Sequence, residues 1–343
     1  MDILFASYQC CIRTIKEGLA LSQAGHKVIF LQYRVANPDM ENLLPICSFY
    51  GSLSQYKAKL ESFIGVEIIH VHNEPSSLGY LAKQARPDLP MVFDAHDLNA
   101  IRYHQADEDE IRSMEAADGV IFPSVGYERI CKIDFEPLSD VLASDVLPGT
   151  PTEVIYSMNN RFTIQRRYLP RLRGIVYEGA LSADNGFMDY RSIISEFTSQ
   201  DIPFHVYGTH MDHINQYIAA GAVCMPTLPY TTLLKNLSRY DWGFIGNKAS
   251  HTQGDAGMPN KLFEYIAAGI PVLVYNAEEA GRYVTEHGIG IVLEDLDEIQ
   301  AVYDRHIALR ETVNERREQL VMETQVDKII KLYERAMERH VCV

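Results

Sequence analysis

The stretch that decides the fold is Ile3-Leu4-Phe5-Ala6-Ser7, followed by Ile12, Ile15 and Leu19, then Gly25, then Lys27-Val28-Ile29-Phe30-Leu31. A short continuous apolar run is a strand buried on both faces, and apolar residues three to four apart mark a helix with one face on the core. Gly25 ends that helix, and the second apolar run is a second strand. Strand, helix, glycine and strand make one right-handed βαβ unit with parallel strands.

The alternation continues outward. Strands are expected at 66–71, 90–95 and 119–122, with helices at 78–85 and about 105–117. Residues 161–173 then hold Arg161, Arg166, Arg167, Arg171 and Arg173 around Pro170, a composition suited to a solvated crossing between domains. Beyond it the pattern restarts. Strands are expected at 174–178, 204–207, 242–245 and 271–275, and helices at 190–199, 230–237 and about 259–268. One long amphipathic helix over about 311–340 carries the stripe Leu320, Ile329, Leu332, Tyr333 and Ala336. The expected architecture is α/β: two Rossmann-like domains with parallel sheets facing an interdomain cleft. The first domain covers 1–165 and is rejoined by the helix at about 320–343, and the second covers 166–319. In open sheets of this kind ligands bind beyond the carboxyl ends of the strands.

Composition excludes several functions. The 343 residues carry 31 Lys+Arg against 46 Asp+Glu, a formal charge of −15. That balance opposes nucleic-acid binding, which needs a basic face. No run of 18 apolar residues exists, so no membrane-spanning helix is expected. Cys10, Cys11, Cys47, Cys131, Cys224 and Cys342 form no CxxC pair, and they read as reduced thiols of a cytoplasmic protein.

The most informative chemistry lies in Gly257-Met-Pro-Asn-Lys-Leu-Phe-Glu-Tyr-Ile-Ala-Ala-Gly-Ile-Pro-Val-Leu-Val274. Pro259 suits the start of a helix, and Gly269 with Pro271 suits its end. The helix N-terminus offers unsatisfied N–H groups and a positive dipole to a phosphate. Lys261 adds a cation there, where the dipole disfavours one unless an anion is bound. Glu264 shares a face with Asn260 and could accept hydrogen bonds from vicinal ribose hydroxyls. A second constellation is Phe93-Asp94-Ala95-His96-Asp97, just past a buried strand. His70 and His72 lie on one face of a neighbouring strand. Histidines and aspartates so placed invite a metal-hydrolase reading, but no second cluster with carboxylate spacing completes a site, so no metal is expected.

The 257–274 stretch resembles the donor-binding helix of GT-B nucleotide-sugar glycosyltransferases, in particular the retaining glycosyltransferase family 4. Val176-Tyr-Glu-Gly-Ala-Leu181, His205-Val-Tyr-Gly208, Leu228–Leu233 and Tyr240–Gly246 are similar to that family's nucleotide-binding domain. Ala117–Ser124 and Val154–Asn160 match its N-terminal half loosely. The resemblance implies that Glu264 holds the donor ribose. It places Lys261, Asn260, Gly179, Tyr207 and Gly208 near the nucleotide, and makes His96 the active-site histidine, with Asp97 orienting it or acting as a base. The family's Glu eight positions before Glu264 is replaced by Ala256, and the neighbouring Asp255 could take its place if the loop shifts by one residue. A family pair of Arg and Lys is missing from 181–190, and Ser7-Tyr-Gln-Cys-Cys11 stands where the family has a Gly-rich loop.

The implied activity is sugar transfer from a nucleotide-diphosphate-sugar donor to a carbohydrate, lipid-linked or protein acceptor. It is expected to be retaining and metal-independent, with no resident cofactor, in surface polysaccharide or glycoconjugate synthesis. Peripheral membrane contact through the arginine-rich segment is one option, and a solvated connection is preferred. Two alternatives stand beside this: a nucleotide-sugar epimerase of the same fold, and a non-catalytic nucleotide-binding partner of a transferase.

Overall fold

The computed structural model describes residues 1–8, 11–32, 46–48, 53–103, 105, 107–132, 149–167, 169–183, 188–208 and 213–342. Cys10 and residues 184–187 of the loop that lacks the basic pair lie outside them. The chain divides into two compact units: Met1–Ser157 with Met322–Val343, and Met158–Val321.

Unit 1 holds β1 (Asp2–Ser7), β2 (Lys27–Gln32), β3 (Ile46–Ser48), β4 (Ile68–His72), β5 (Met91–Asp94), β6 (Gly119–Phe122) and β7 (Thr152–Val154). They form one parallel sheet in the order β3-β2-β1-β4-β5-β6-β7. Unit 2 holds β8 (Ile175–Gly179), β9 (Phe204–Gly208), β10 (Ala222–Cys224), β11 (Trp242–Gly246), β12 (Val272–Tyr275) and β13 (Gly290–Val292). These are also all parallel, in the order β10-β9-β8-β11-β12-β13. The central strands β4, β5, β6, β9 and β11 are buried at every position, because helices cover both faces of each sheet. Strand order reverses at β1/β4 and again at β8/β11, the switch points where an open sheet leaves room for a ligand.

The long helix expected over about 311–340 is two helices, His306–Arg316 and Val326–Cys342, joined through a 3-10 turn at Met322–Gln325. The break has a packing cause. Leu320, Val321 and Met322 are consecutive and all buried, and on one helix they would spread across about 200° of its circumference. The chain re-enters unit 1 at this point. There Val326, Ile329, Leu332, Tyr333 and Ala336 form the buried stripe of the second helix.

The arginine-rich segment packs within unit 2. Arg166 pairs with Glu318 at 2.6 Å, Arg171 with Asp241 at 3.2 Å, and the Arg173 guanidinium lies 5.6 Å from the centre of the Tyr303 ring. No helix among the described residues is long and apolar enough to cross a membrane.

The helix expected at about 105–117 is Glu108–Glu115, with Asp107 as its N-cap and a separate short helix at Asn99–Tyr103. The buried Glu110 carboxylate accepts the N–H groups of Asn99 and Ala100 and the hydroxyl of Ser76. Burial pushes this carboxyl up to about 7 despite those donors. Folded protein therefore keeps a proton that unfolded chain loses near pH 4.5, so this group's contribution to stability falls as pH rises from about 4.5 to about 7. The loss amounts to about 3 kcal/mol. In chemical denaturation across that interval, Glu110→Gln is expected to flatten the pH dependence by this amount. An unchanged slope would show that Glu110 ionises normally.

Candidate functional site

In unit 2 the helix Asn260–Ala268 is set against the sheet by one aromatic contact. A Cβ at Gly243 would lie 2.3 Å from the Tyr265 ring, so only glycine on β11 admits that ring. The Tyr265 hydroxyl accepts the Glu178 N–H at 3.2 Å and lies 3.4 Å from the Phe244 carbonyl, tying the helix to β8 and β11 at their reversal. Gly269, at φ 77°, ends the helix, and the Ile270 N–H reaches back to the Tyr265 carbonyl at 3.0 Å. This is the Schellman termination that Gly269 and Pro271 imply in sequence.

The other end of the helix carries the chemistry. Pro259 occupies the N-cap position and no side chain caps the first turn. Lys261 Nζ donates to the Tyr177 hydroxyl at 3.0 Å and lies 4.2 Å from the centre of that ring. Its ammonium group also meets the turn after β8, since a Cβ on Gly179 would fall 3.2 Å from Nζ. Gly179 pairs in register with Gly208 on β9. Two glycine turns and a helix N-terminus therefore meet with the Lys261 cation among them, an arrangement that can cradle phosphate oxygens. One turn further in, Glu264 is buried, and the Tyr230 hydroxyl hydrogen-bonds to its carboxylate. Asn159 Nδ2 donates to the same hydroxyl at 3.1 Å.

Unit 1 has its own polar centre. Arg13 donates through Nε to Asp94 at 2.8 Å and through Nη1 to the Ile155 carbonyl at 2.8 Å, and its Nη2 lies 3.0 Å from Glu17. His70 and His72 stack at 4.7 Å between ring centres, so strand alternation does put them on one face. His70 Nδ1 hydrogen-bonds the Tyr333 hydroxyl at 2.7 Å. His96 Nδ1 is 3.4 Å from Asp94, and its Nε2 is 3.9 Å from Cys11 Sγ. Burial pushes the Glu17 carboxyl well up. Burial acts on Asp94 in the same sense, but Arg13 and the histidines overcome it and hold that carboxyl well below its usual range. No cluster with carboxylate spacing is visible in the sequence around His70 and His72, yet Glu17 and Asp94 lie beside them in the fold. Potential ligand atoms of Glu17, His70, His72 and Asp94 lie within 4.8 Å of one another, as do those of Cys11, His72 and His96. Sequence spacing could not show this, because the groups come from a helix, two strands and two loops.

Comparison with known proteins bears on the fold and on the second unit. Residues 182–314 match the family model described as "Glucosyltransferase 3-like, C-terminal domain". Among solved structures, an alpha-glucosyltransferase in complex with UDP and a 13-mer DNA superposes with a TM-score of 0.70, at 12% identity over 97% of this chain and 99% of that one. The Anabaena protein HepE in complex with UDP and glucose gives 0.68, at 14% identity over 96% and 98%. A glycosyltransferase from Rickettsia africae gives 0.65, at 11% identity over 98% of both chains. No curated protein matches the chain. The fold is that of the GT-B glycosyltransferases. With the domain match at 182–314, the chain is a glycosyltransferase.

Within this glycosyltransferase, the residues singled out in sequence fall into groups. Gly179, Gly208, Lys261 and Asn260 gather at the β8 turn and the helix N-terminus, and Glu264 lies along the same helix. Tyr207 is buried with its hydroxyl 3.2 Å from that of Tyr240. Asp255 lies in the preceding helix Thr252–Ala256 and pairs with Ser250. His96 has Asp94 as its carboxylate partner, whereas Asp97 pairs with Arg102. Positions 96 and 97 lie beyond the end of β5, so strand alternation does not assign this pairing from sequence. Sequence reading missed the roles of Tyr177, Tyr230 and Asn159, which hold Lys261 and Glu264 in place, although each lies in a segment that carries the family resemblance.

Gly179 gives a direct test. Its φ of 131° is a region that favours glycine, and a methyl there would press on the Lys261 ammonium. Gly179→Ala is expected to lower stability by about 1–3 kcal/mol and to weaken binding of a nucleoside diphosphate at least several-fold. Calorimetry showing wild-type affinity would remove the β8 turn from the site.

Proposed function

We propose that this glycosyltransferase moves a sugar from a uridine-diphosphate-type donor to an acceptor hydroxyl, and that unit 2 holds the donor. The observation that carries the reading is the Lys261 ammonium placed between Tyr177 and the Gly179 turn at an uncapped helix N-terminus. Two neighbours of the same fold were solved with UDP, which supports uridine over other bases. Lys261 and the helix N–H groups face the diphosphate, and the Glu264 carboxylate accepts the ribose hydroxyls in place of Tyr230. Stabilising the charge that builds on the leaving diphosphate is the largest electrostatic task of the reaction. Here a lysine and a helix terminus perform it without a metal on the phosphates.

In the retaining course proposed here, the acceptor oxygen forms a bond to the anomeric carbon on the face that the diphosphate leaves. The carbon–oxygen bond to phosphate breaks, and the acceptor proton passes to the departing phosphate oxygen. No resident cofactor is needed, because the nucleotide-sugar is consumed as substrate. His96 remains the candidate active-site histidine, with its Nδ1 3.4 Å from Asp94. Asp255 remains a candidate for the sugar hydroxyls, in the place of the family's missing glutamate. The acceptor is a carbohydrate or glycoconjugate of the kind built into surface polysaccharide.

The test pairs binding with turnover. UDP, GDP and ADP are compared by thermal shift, and UDP at a hundred times its Kd is expected to stabilise by about 2.7 kcal/mol. UDP-sugars are then incubated with saccharide acceptors, and the anomer of the product is read by NMR. Isomerisation of a UDP-sugar without acceptor would replace the transfer reading with an epimerase, and tight UDP binding with no chemistry would make the chain a nucleotide-binding partner.

A further inference from the structure

We propose that Cys11, His72 and His96 of unit 1 form a binding site for a single divalent transition-metal ion of the zinc class. The three residues arrive from different elements: Cys11 caps the helix Ile12–Gln23, His72 ends β4, and His96 follows β5. One thiolate with two imidazoles is a donor set that suits zinc and leaves a fourth, open position. Their potential ligand atoms lie within 4.8 Å of one another, and Cys11 Sγ to His96 Nε2 is 3.9 Å. That spacing is close to the edge of a tetrahedron with metal–sulfur and metal–nitrogen bonds of about 2.3 and about 2.0 Å.

An independent observation points to a missing ligand. His72 is only 2% exposed, and neither of its ring nitrogens makes a hydrogen bond. A buried imidazole with both nitrogens unbonded costs free energy unless something fills the gap. The surroundings also match a metal's outer shell. Asp94 lies 3.4 Å from His96 Nδ1 and 3.6 Å from His72 Nδ1, a carboxylate beside both rings. The Thr14 hydroxyl and N–H lie 3.2 and 3.5 Å from Cys11 Sγ, steadying a thiolate. The neighbouring group of Glu17, His70, His72 and Asp94 is a poorer choice, because the Arg13 guanidinium already sits on both carboxylates. Cys11 and His96 are partly exposed, which gives an ion a way in.

The proposal does not depend on sugar transfer. Where His96 also serves the proposed transfer reaction, a bound ion occupies its Nε2, so loading the site lowers activity.

The experiment uses the full chain, freed of metal by chelation and titrated with Co²⁺. The expected result is saturation at one ion per chain, with visible bands of tetrahedral cobalt and a near-ultraviolet thiolate charge-transfer band, both removed by Zn²⁺. Cys11→Ser is expected to abolish the charge-transfer band, and His72→Gln to weaken binding at least tenfold, while Cys342→Ser changes neither. Because these variants could unfold, wild-type protein is also alkylated with iodoacetamide with and without Zn²⁺. Peptide mass analysis is expected to show Cys11 protected by zinc and Cys342 unprotected. Absence of a thiolate band, its persistence in Cys11→Ser, or equal alkylation of Cys11 with and without zinc would each overturn the site. UDP-induced thermal stabilisation, measured on the same metal-free protein, reports on unit 2 separately.

Discussion

Lys261→Ala is expected to weaken UDP binding by about 10- to 100-fold, the worth of one or two charge-assisted hydrogen bonds to a diphosphate. The reason is local. No side chain caps the helix Asn260–Ala268, and Lys261 is the cation that touches both Tyr177 and the Gly179 turn. Without an anion, a lysine in the first turn opposes the helix dipole, so its removal costs the free protein little stability. Titration calorimetry with UDP and with uridine separates the effects. Affinity for UDP should fall while affinity for uridine holds, because uridine carries no phosphate. Glu264→Gln should show the converse, weakening both ligands through the ribose. Equal losses for UDP and uridine in Lys261→Ala would place the diphosphate elsewhere.

The second large effect is expected at Arg13. This side chain is 2% exposed, neutralises Asp94 and lies against Glu17 deep in unit 1. Removing one member of a buried ion network leaves uncompensated charge, at a cost of about 3–5 kcal/mol. Arg13→Met is therefore expected to lower the melting temperature of unit 1 by roughly 10 °C or more. UDP should still stabilise unit 2 in the same sample. Adding Asp94→Asn and Glu17→Gln to Arg13→Met should recover part of the loss, since no charge is then stranded. A loss below about 1 kcal/mol for Arg13→Met would mean that water or a counter-ion already serves these carboxylates.

Sequence alone carried the layered architecture because the central strands and their helices are long enough to show a period. The helix Tyr230–Leu237 and the strand Gly119–Phe122 fall where the pattern puts them. It did not reveal β3, β7, β10 or β13. These are three-residue strands at or near the sheet edges, too short for any periodicity to register. In the proposed donor region, the positions of Lys261 and Glu264 were readable because a helix with fixed ends carries its own punctuation. Tyr177, Tyr230 and Asn159 were not, because their roles arise from contacts between distant segments. The buried centre of unit 1 was hidden for a further reason. Arg13, Lys16 and Glu17 sit in the first helix, where charged residues normally mark the wet face, yet all three are buried. Lys16 Nζ reaches the Ser157 carbonyl at 3.1 Å, and Arg13 reaches Ile155. Only the fold supplies the partners that make such burial tolerable.

The order in which the chain visits its two units sets the order in which they can be finished during synthesis. Residues 158–321 are contiguous, whereas the first unit lacks the helix Val326–Cys342, and with it the Tyr333 hydroxyl on His70, until 342 has left the ribosome. The usual vectorial sequence is thereby reversed: the later-encoded lobe can close first, while the earlier one waits with the flank of β5–β7 bare. A nascent chain halted near residue 325 would leave that apolar flank as the surface for chaperones to shield.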